Sequence, residues 1–145
     1  MRHWKELADF SVPSAPGNER LAMQRVAEIL ANENLPASRL ERLKTAVAEA
    51  TMNAMEHGNR YQPDLNVLIQ VAESRSAVRV RITDRGGDRT IPETTTPDID
   101  AKLAGLQSPR GWGLFLIRNM VDELHTSSDD LHHTVELVMN RHREN

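Results

Sequence analysis

The spacing of apolar residues changes along this chain after Gly58, and that change limits the folds it can adopt. Residues 19–34 and 38–57 carry apolar side chains every three or four positions, as amphipathic helices do. Residues 65–73 and 77–84 instead resemble strands, and apolar and polar side chains alternate in the second of them. Because only a short turn separates these two strands, we expect them to pair as an antiparallel hairpin that packs against the helices.

The rest of the chain supplies further strands and a third helix. We expect a first strand over residues 4–12, a helix over residues 111–124 and a last strand over residues 132–139, with a partner strand near residues 124–127. Adjacent strands joined by tight turns indicate a sheet that is mixed but mostly antiparallel, with the helices on one face. The predicted fold is therefore an α+β two-layer sandwich.

Two positions are predicted to mark the ends of the second helix. Ser38 is the predicted N-cap, with Glu41 at the matching position of a capping box. Gly58 follows His57 at a place where helices often close with a left-handed residue, so we expect a left-handed C-cap there.

The bulk composition is that of a globular domain, with 39% hydrophobic and 27% charged residues, and we treat residues 1–145 as a single domain. A net charge of -3 lacks the basic footprint of nucleic-acid-binding proteins. Cysteine is absent, which excludes disulfide frameworks and thiolate chemistry. Neither a signal peptide nor a membrane-spanning apolar run is visible. We therefore expect a cytoplasmic protein with no membrane partner and no direct nucleic-acid partner.

The stretch EATMNAMEH, residues 49–57, puts polar residues beside the apolar stripe of the second helix. Glu49, Asn53 and His57 are four residues apart, and each step of four advances about 40° around an α-helix, so they form a row at the border of the buried face. A carboxylate in that position is partly desolvated and needs a partner. The row is either an ordinary amphipathic margin, with a histidine that suits a helix C-terminus, or the edge of a site.

Two glycine-bearing stretches favour a ligand site. ITDRGG, residues 82–87, ends a strand in Asp84, whose carboxylate can accept a hydrogen bond from an exocyclic amine of a ligand. SPRGWGLFLI, residues 108–117, opens a helix, where free backbone N–H groups bind anions and Arg110 adds a positive charge. The long loop between them, residues 88–108, is typical of a lid. An ordinary turn or helix start would explain each stretch singly, but together with the polar row they predict a nucleotide pocket.

On these three motifs, nearly the whole chain resembles the GHKL, or Bergerat-fold, ATPases, and within them the small anti-sigma factor serine-protein kinases of bacterial partner switching. The family's N box, Glu–x3–Asn–Ala–x2–His, is present as EATMNAMEH; its first glycine box, Asp–x–Gly, as DRG; and its second, Gly–x–Gly–Leu–x–Leu/Ile, as GWGLFLI. The resemblance implies ATP and Mg²⁺ as cofactors and phosphorylation of a serine on an anti-anti-sigma (STAS-domain) partner. It also implies that the protein sequesters a sigma factor and forms a homodimer.

The resemblance implies a role for each matching residue. Glu49 is the expected general base, Asn53 the expected Mg²⁺ ligand and Asp84 the carboxylate expected to recognise adenine. His57 matches the N-box histidine and is expected to be structural. The other matches are expected to lie near the base and the phosphates of the nucleotide: Gly86, Arg110, Gly111 and Gly113.

The first glycine box departs from the Asp–x–Gly–x–Gly form of many family members. Asp88 stands at its last position, and the spare glycine, Gly87, comes one place early. Unless it points outward, this extra negative charge near the triphosphate would weaken nucleotide binding. It therefore leaves open an alternative function as a non-catalytic protein-binding module with a degenerate ATP pocket, although Glu49 and Asn53 argue against that alternative. A sensor histidine kinase is a weaker alternative, because such kinases carry a phosphoacceptor helix before this domain and only three residues precede Trp4.

Overall fold

The computed structural model describes residues 2–86 and 109–142 of the chain. Its strands are β1 (Lys5–Pro13), β2 (Asn66–Glu73), β3 (Ala77–Asp84), β4 (Glu123–Ser128) and β5 (His133–Asn140). Its helices are α1 (Asn18–Leu30), α2 (Ala37–Asn53) and α3 (Pro109–Met120), and a π-helical turn, Ala54–Gly58, extends α2. This order of strands and helices confirms the predicted order. The predicted lid, residues 88–108, lies outside the described residues.

The described strands form one sheet in the order β1–β2–β3–β5–β4, so that β3 lies at its centre. Each neighbouring pair of these strands is antiparallel. β2 and β3 pair as the predicted hairpin, and β5 lies between β3 and β4. The predicted α+β fold is confirmed. The sequence predicts a sheet that is mixed but mostly antiparallel, and all the described strands pair in an antiparallel manner.

The helices cover the apolar face of the sheet and form the core with it. Alternate residues of the central strands face the helices, and α1 and α2 turn their apolar sides onto them. The fully buried residues of this core include Val26, Leu43, Val47, Ile69, Ile82, Ile117 and Leu137. In residues 2–86 and 109–142, no helix has the length and apolar character needed to cross a membrane.

The opposite face of the sheet carries charged side chains. Arg79 donates a hydrogen bond to Glu6 at 2.8 Å, and its guanidinium carbon lies 4.7 Å from the centre of the Trp4 ring. Arg81 donates to Glu136 at 2.8 Å across the β3–β5 pair. The alternation of apolar residues and arginine along β3 therefore separates the core from the outer face, as a period of two predicts.

The N-cap predicted for the second helix is wrong. α2 begins at Ala37 after Pro36, and the Pro36 carbonyl accepts a helical hydrogen bond from the Leu40 N–H at 2.9 Å. Proline suits this boundary because its fixed φ is compatible with a helix start and its missing N–H is not needed there. Ser38 therefore lies inside the first turn and does not cap the helix.

The C-cap predicted at Gly58 is also wrong. Gly58 has no positive φ, because the helix continues into the π-helical turn instead of closing. The left-handed conformation falls two and three residues later, on Arg60 (φ 52°) and Tyr61 (φ 53°).

The first and third helices end earlier than predicted. α1 ends at Leu30, before the predicted residue 34, and a turn follows it. α3 ends at Met120, before the predicted residue 124. Leu124 is the reason for the second difference, since it pairs with Leu137 in the β4–β5 ladder.

Candidate functional site

Glu49 and Asn53 lie on the last turns of α2, at the border between the core and solvent. Both residues are half-buried. Within the described parts of the chain, neither side chain makes a hydrogen bond or an ion pair. The neighbouring Ala50 and Thr51 are buried instead, so the helix directs its small residues into the core. The two polar groups thus remain available to solvent or to a ligand.

The polar row ends differently at His57 because the helix widens there. The Asn59 N–H donates to the Ala54 carbonyl at 2.9 Å, the i-to-i+5 hydrogen bond of a π-helical turn. Four residues no longer complete a turn in this segment, so His57 leaves the line of the two preceding polar residues. His57 Nε2 lies 3.8 Å from a carboxylate oxygen of Glu56. Such π turns inside α-helices are frequent at functional sites.

Asn59 joins the end of the π-helical turn to the end of the strand that carries the first glycine box. It is 1% exposed, and its Oδ1 accepts a hydrogen bond from the Arg85 backbone N–H at 2.8 Å. Its Nδ2 donates to Ser14 Oγ at 3.0 Å and to the carbonyl oxygens of Leu65 and Asn66, both at 3.3 Å. We call this set of contacts the Asn59 junction. It holds the N-box segment directly beside the first glycine box.

Asp84 is the last residue of β3 and is 1% exposed. The Gly86 N–H donates to its Oδ1 at 2.6 Å, so the glycine box folds back on the carboxylate as an Asx turn does. Its Oδ2 lies 3.5 Å from Nδ1 of His133, which is opposite Asp84 on β5. A buried carboxylate needs partners of this kind, and here they come from two different segments.

The glycines of the second glycine box lie in the first half of α3, which packs against α2. Arg42, near the start of α2, donates to the Asn119 carbonyl near the end of α3 at 2.9 Å. Arg39 donates to Asp122, just after α3, also at 2.9 Å. The two helices therefore run in opposite directions, and the start of α3 points toward the end of α2. The first five residues of α3 include Arg110, Gly111 and Gly113. Their side-chain surroundings lie outside the described part of the structure.

The surroundings of Tyr61, just after the π-helical turn, are acidic. Burial raises the pKa of its hydroxyl, and the negative charges of Glu56 and Glu19 raise it further. Tyr61 is therefore uncharged at neutral pH. Its backbone N–H donates to the Met55 carbonyl at 2.7 Å, and its ring packs against the core. Tyr61 thus anchors the exit of the turn.

The described residues around the end of α2 and the end of β3 offer few metal ligands. Among the described residues, no group of three or more His, Cys, Asp or Glu side chains could hold a metal ion. Mg²⁺ usually needs no such cage, because it keeps several waters and takes one or two protein ligands together with the phosphates of a nucleotide. The amide oxygen of Asn53 is a hard, neutral ligand of that type, and Glu49 lies one turn away. These residues fit a Mg²⁺ ion carried by a nucleotide better than one held by the protein alone.

Sequence reasoning missed Asn59, Ser14 and His133. Asn59 follows a glycine and Ser14 follows a proline, so both look like ordinary loop positions. Their mutual contact joins residues 45 apart in the chain, so no local pattern reveals it. His133 faces Asp84 only because β5 pairs with β3. The alternation of apolar and polar residues does not show which strands pair when they are distant in the chain.

Two of the curated proteins of similar sequence are anti-sigma F factors. The histidine kinase-like ATPase domain family matches residues 12–139 of this chain, a range that contains all three motifs. The chain is 31% identical over 114 residues to the anti-sigma F factor of Bacillus cytotoxicus, which covers 78% of this chain and 77% of that protein. It is 32% identical over 113 residues to the anti-sigma F factor of a Geobacillus species, which covers 77% and 76%.

Solved structures share the fold. The crystal structure of the RsbU and RsbW domains of a Mycobacterium tuberculosis protein matches with a TM-score of 0.66 at 18% identity, over 94% of this chain and 33% of that one. The SiaB–SiaC complex from Pseudomonas aeruginosa matches with a TM-score of 0.62 at 15% identity, over 92% and 89%. At these identities the likeness concerns the fold alone. The family follows from the sequence matches and the motifs: this protein belongs to the histidine kinase-like (GHKL) ATPases, among the relatives of the anti-sigma F factors.

Proposed function

We propose that this protein is an anti-sigma factor with ATP-dependent serine-protein kinase activity. Membership of the histidine kinase-like ATPase family supports nucleotide binding. The anti-sigma F factors, which are 31% and 32% identical over most of this chain, support the narrower assignment. In this proposal the protein binds ATP with Mg²⁺, phosphorylates a serine of an anti-anti-sigma partner with a STAS domain, and sequesters a sigma factor.

The observation that carries the proposal is the Asn59 junction. Its hydrogen bonds hold the segment that contains Glu49 and Asn53 against the strand end that contains Asp84. Glu49 and Asn53 themselves make no side-chain hydrogen bond within the described residues, so internal bonding does not account for their half-buried positions. A ligand that reaches from Asp84 to Asn53 does account for them.

In this proposal the nucleotide extends from Asp84, which contacts its base, to Asn53, which lies near its phosphates. Asp84 is a buried acceptor, and the exocyclic amine of adenine is the complementary donor. Gly86 allows the backbone to pass close to the base. Asn53 would hold the Mg²⁺ ion, which when bound neutralises charge on the phosphates. The backbone N–H groups at the start of α3 would bind phosphate oxygens, as helix N-termini do. The residues assigned to that contact are Arg110, Gly111 and Gly113.

Glu49 is the proposed general base for the hydroxyl group of the acceptor serine. Its carboxylate would accept the hydroxyl proton as the serine oxygen attacks the terminal phosphorus of ATP and the bond to the ADP oxygen breaks. Most of the rate of phosphoryl transfer comes from positioning and charge stabilisation. A general base typically contributes a further factor of ~10²–10⁴.

Two further parts of the proposal concern assembly and location. We infer that the protein forms a homodimer, which a light-scattering mass twice that of one chain would support. We also infer that it acts in the cytoplasm through protein partners, without binding nucleic acid directly. A net charge of -3 supports the absence of direct nucleic-acid binding.

Phosphate transfer from labelled ATP to an anti-anti-sigma protein tests the kinase activity. Glu49→Gln keeps the size and a hydrogen-bonding oxygen of the side chain but removes its basicity. We therefore expect transfer at least ~10²-fold slower, with ATP and partner binding retained. Glu41→Gln is the matched control, because Glu41 lies exposed on the same helix and pairs only with Lys44, at 3.1 Å, among the described residues. Its transfer rate should equal that of the wild type.

Two outcomes would overturn parts of this assignment. If Glu49→Gln folds, binds ATP and transfers phosphate at the wild-type rate, Glu49 is not the base. If the wild-type protein binds its anti-anti-sigma partner but transfers no phosphate, the chain is a non-catalytic protein-binding module instead.

A further inference from the structure

The candidate nucleotide site contains a histidine that none of the three motifs includes. His133 is 2% exposed, and the register of the β3–β5 ladder places it directly opposite Asp84. We propose that His133 is a positioning residue, which fixes the Asp84 carboxylate and thereby sets the preference of the site for a purine with an exocyclic amine. This inference rests on the proposed function, in which Asp84 recognises adenine.

Asp84 is held from two sides. The Gly86 N–H donates to Oδ1 at 2.6 Å, from the segment that follows β3. His133 Nδ1 faces Oδ2 at 3.5 Å, from the neighbouring strand. Because each oxygen has a partner on a different element, rotation of the carboxylate is restrained. A fixed acceptor can meet the amine of a base at the angle that a good hydrogen bond requires.

The same contact orients His133. A carboxylate opposite Nδ1 favours the tautomer that carries the ring hydrogen on Nδ1. Both side chains are buried, so little water screens their attraction. Removal of the Nδ1 donor should therefore free the carboxylate to turn, even if the fold survives.

A neighbouring residue pair provides a control on the same strands. Thr83 and Thr134 are the adjacent pair in the ladder, and their hydroxyl groups lie 2.9 Å apart on the opposite face of the sheet. Thr134→Val removes that hydrogen bond without touching Asp84 or His133. It therefore reports what a weakened β3–β5 pairing does by itself.

The test is calorimetric titration of the full chain with ATP and with inosine triphosphate, whose base carries an oxygen in place of the amine. We expect the wild type and Thr134→Val to prefer ATP by at least ~10-fold, because the oxygen would face an acceptor. His133→Leu should reduce the preference to about threefold or less, mainly by weaker ATP binding. His133→Asn should restore it, because its amide nitrogen takes the place of Nδ1. A folded His133→Leu protein that keeps the wild-type preference would overturn the inference.

A second measurement covers the case in which His133→Leu does not fold. Long-range ¹H–¹⁵N spectra of the wild type, assigned by comparison with His133→Asn, should show the hydrogen of His133 on Nδ1. A hydrogen on Nε2 alone would also overturn the inference. The proposed function would be contradicted by a different result, a wild-type protein that binds neither nucleotide. A wild-type protein that binds both nucleotides equally would contradict only the roles of Asp84 and His133.

Discussion

The β2–β3 hairpin has buried polar residues at both of its ends, and the two ends use their polar groups differently. The turn end contains Glu73, Ser74 and Arg141, where β2 turns into β3. The open end contains Asn59 and Asp84, where β2 begins and β3 finishes. Both clusters combine backbone and side-chain hydrogen bonds, so polarity alone does not distinguish them.

At the turn end the polar groups bond to one another. Ser74 Oγ accepts from the Ala77 N–H at 3.1 Å, which closes the turn. Arg141 donates to the Ser74 carbonyl through Nε at 3.2 Å and through Nη2 at 3.0 Å. Nη2 also donates to a Glu73 carboxylate oxygen at 3.1 Å. These contacts tie the end of β5 to the hairpin, and structure alone accounts for them.

At the open end, Asp84 has partners of its own, and the other side-chain hydrogen bonds are concentrated in Asn59. That residue joins four other residues. Glu49 and Asn53, on the adjoining helix, make no side-chain hydrogen bond within residues 2–86 and 109–142. We infer that the candidate ligand site is marked by half-buried side chains without hydrogen bonds to other described residues, such as those of Glu49 and Asn53, rather than by polar residues in general.

Removal of Asn59 should have the largest effect, and it should damage both stability and nucleotide binding. Asn59→Ala removes all of its side-chain hydrogen bonds, so we expect the free energy of unfolding to fall by about 3 kcal/mol. The ATP affinity of the folded fraction should fall as well, because the N-box segment and the first glycine box are no longer held together.

Arg141→Met makes the matched change at the turn end. We expect it to lower the free energy of unfolding by about 2 kcal/mol, because Glu73 and Ser74 lose a charged donor. ATP affinity should be unchanged. Urea denaturation and ATP titration of the same samples separate the two variants. Loss of ATP binding in a folded Arg141→Met variant would contradict the claim that only the open end of the hairpin supports nucleotide binding.

Asp84→Asn should weaken ATP binding without a matching loss of stability. One acceptor oxygen becomes a donor amide that faces the adenine amine, and such a buried mismatch costs about 1–3 kcal/mol, or ~10- to 100-fold in affinity. Competitive displacement of a fluorescent ATP analogue measures the change. Inosine triphosphate should lose much less affinity. An equal loss for both nucleotides would mean that Asp84 does not face the amine.

Replacement of Glu33, beside the turn end, should have the smallest effect. The hydrogen bond between the Glu33 and Glu73 carboxyl groups raises the pKa of Glu33 and lowers the pKa of Glu73. The raised pKa means that Glu33 stabilises the fold at low pH, and that this contribution is lost as the pH rises through its pKa, above the usual 4.5. The lowered pKa means that ionised Glu73 contributes at higher pH, and that its contribution is lost as the pH falls below the usual 4.5.

Glu33→Gln supplies a hydrogen-bond donor at every pH. The free energy of unfolding should therefore rise slightly at neutral pH, by less than ~0.5 kcal/mol because both side chains are only half-buried and solvent screens the pair, and change little near the usual carboxyl pKa. Urea denaturation at the two pH values measures the difference. A clear loss of stability at neutral pH would show that the ionised Glu33 has a favourable partner instead.

The strands could be predicted because burial of one sheet face imposes a period of two on the sequence. β3 has the predicted bounds, and β2 begins one residue later than predicted. The end of α3 shows the limit of such patterns. Leu124 continues the helical spacing of apolar residues and also suits a strand, and only its pairing with Leu137 decides between them.

The motifs of the candidate site are visible in the sequence, but the contacts that hold them together are not. Glu49, Asn53 and Asp84 stand in local motifs that a single sequence displays. Asn59 acts through residues distant in the chain, such as Arg85, 26 positions away. Distant contacts also explain why the C-cap predicted at Gly58 is wrong. The local sequence favours the end of the helix at that glycine, but the helix continues into a π-helical turn that ends at Asn59, whose side chain bonds to distant residues.

Calorimetric titration of ATP with and without Mg²⁺ tests the central claim, that the open end binds ATP through Asp84 and its metal ion through Asn53. The wild type should bind ATP more tightly with Mg²⁺ than without it, and Glu49→Gln should bind as the wild type does. Asn53→Ala should lose at least ~10-fold in affinity and most of the Mg²⁺ dependence, because it lacks the amide ligand. A folded wild-type protein that binds no ATP, or an Asn53→Ala variant with unchanged Mg²⁺ dependence, would contradict the claim.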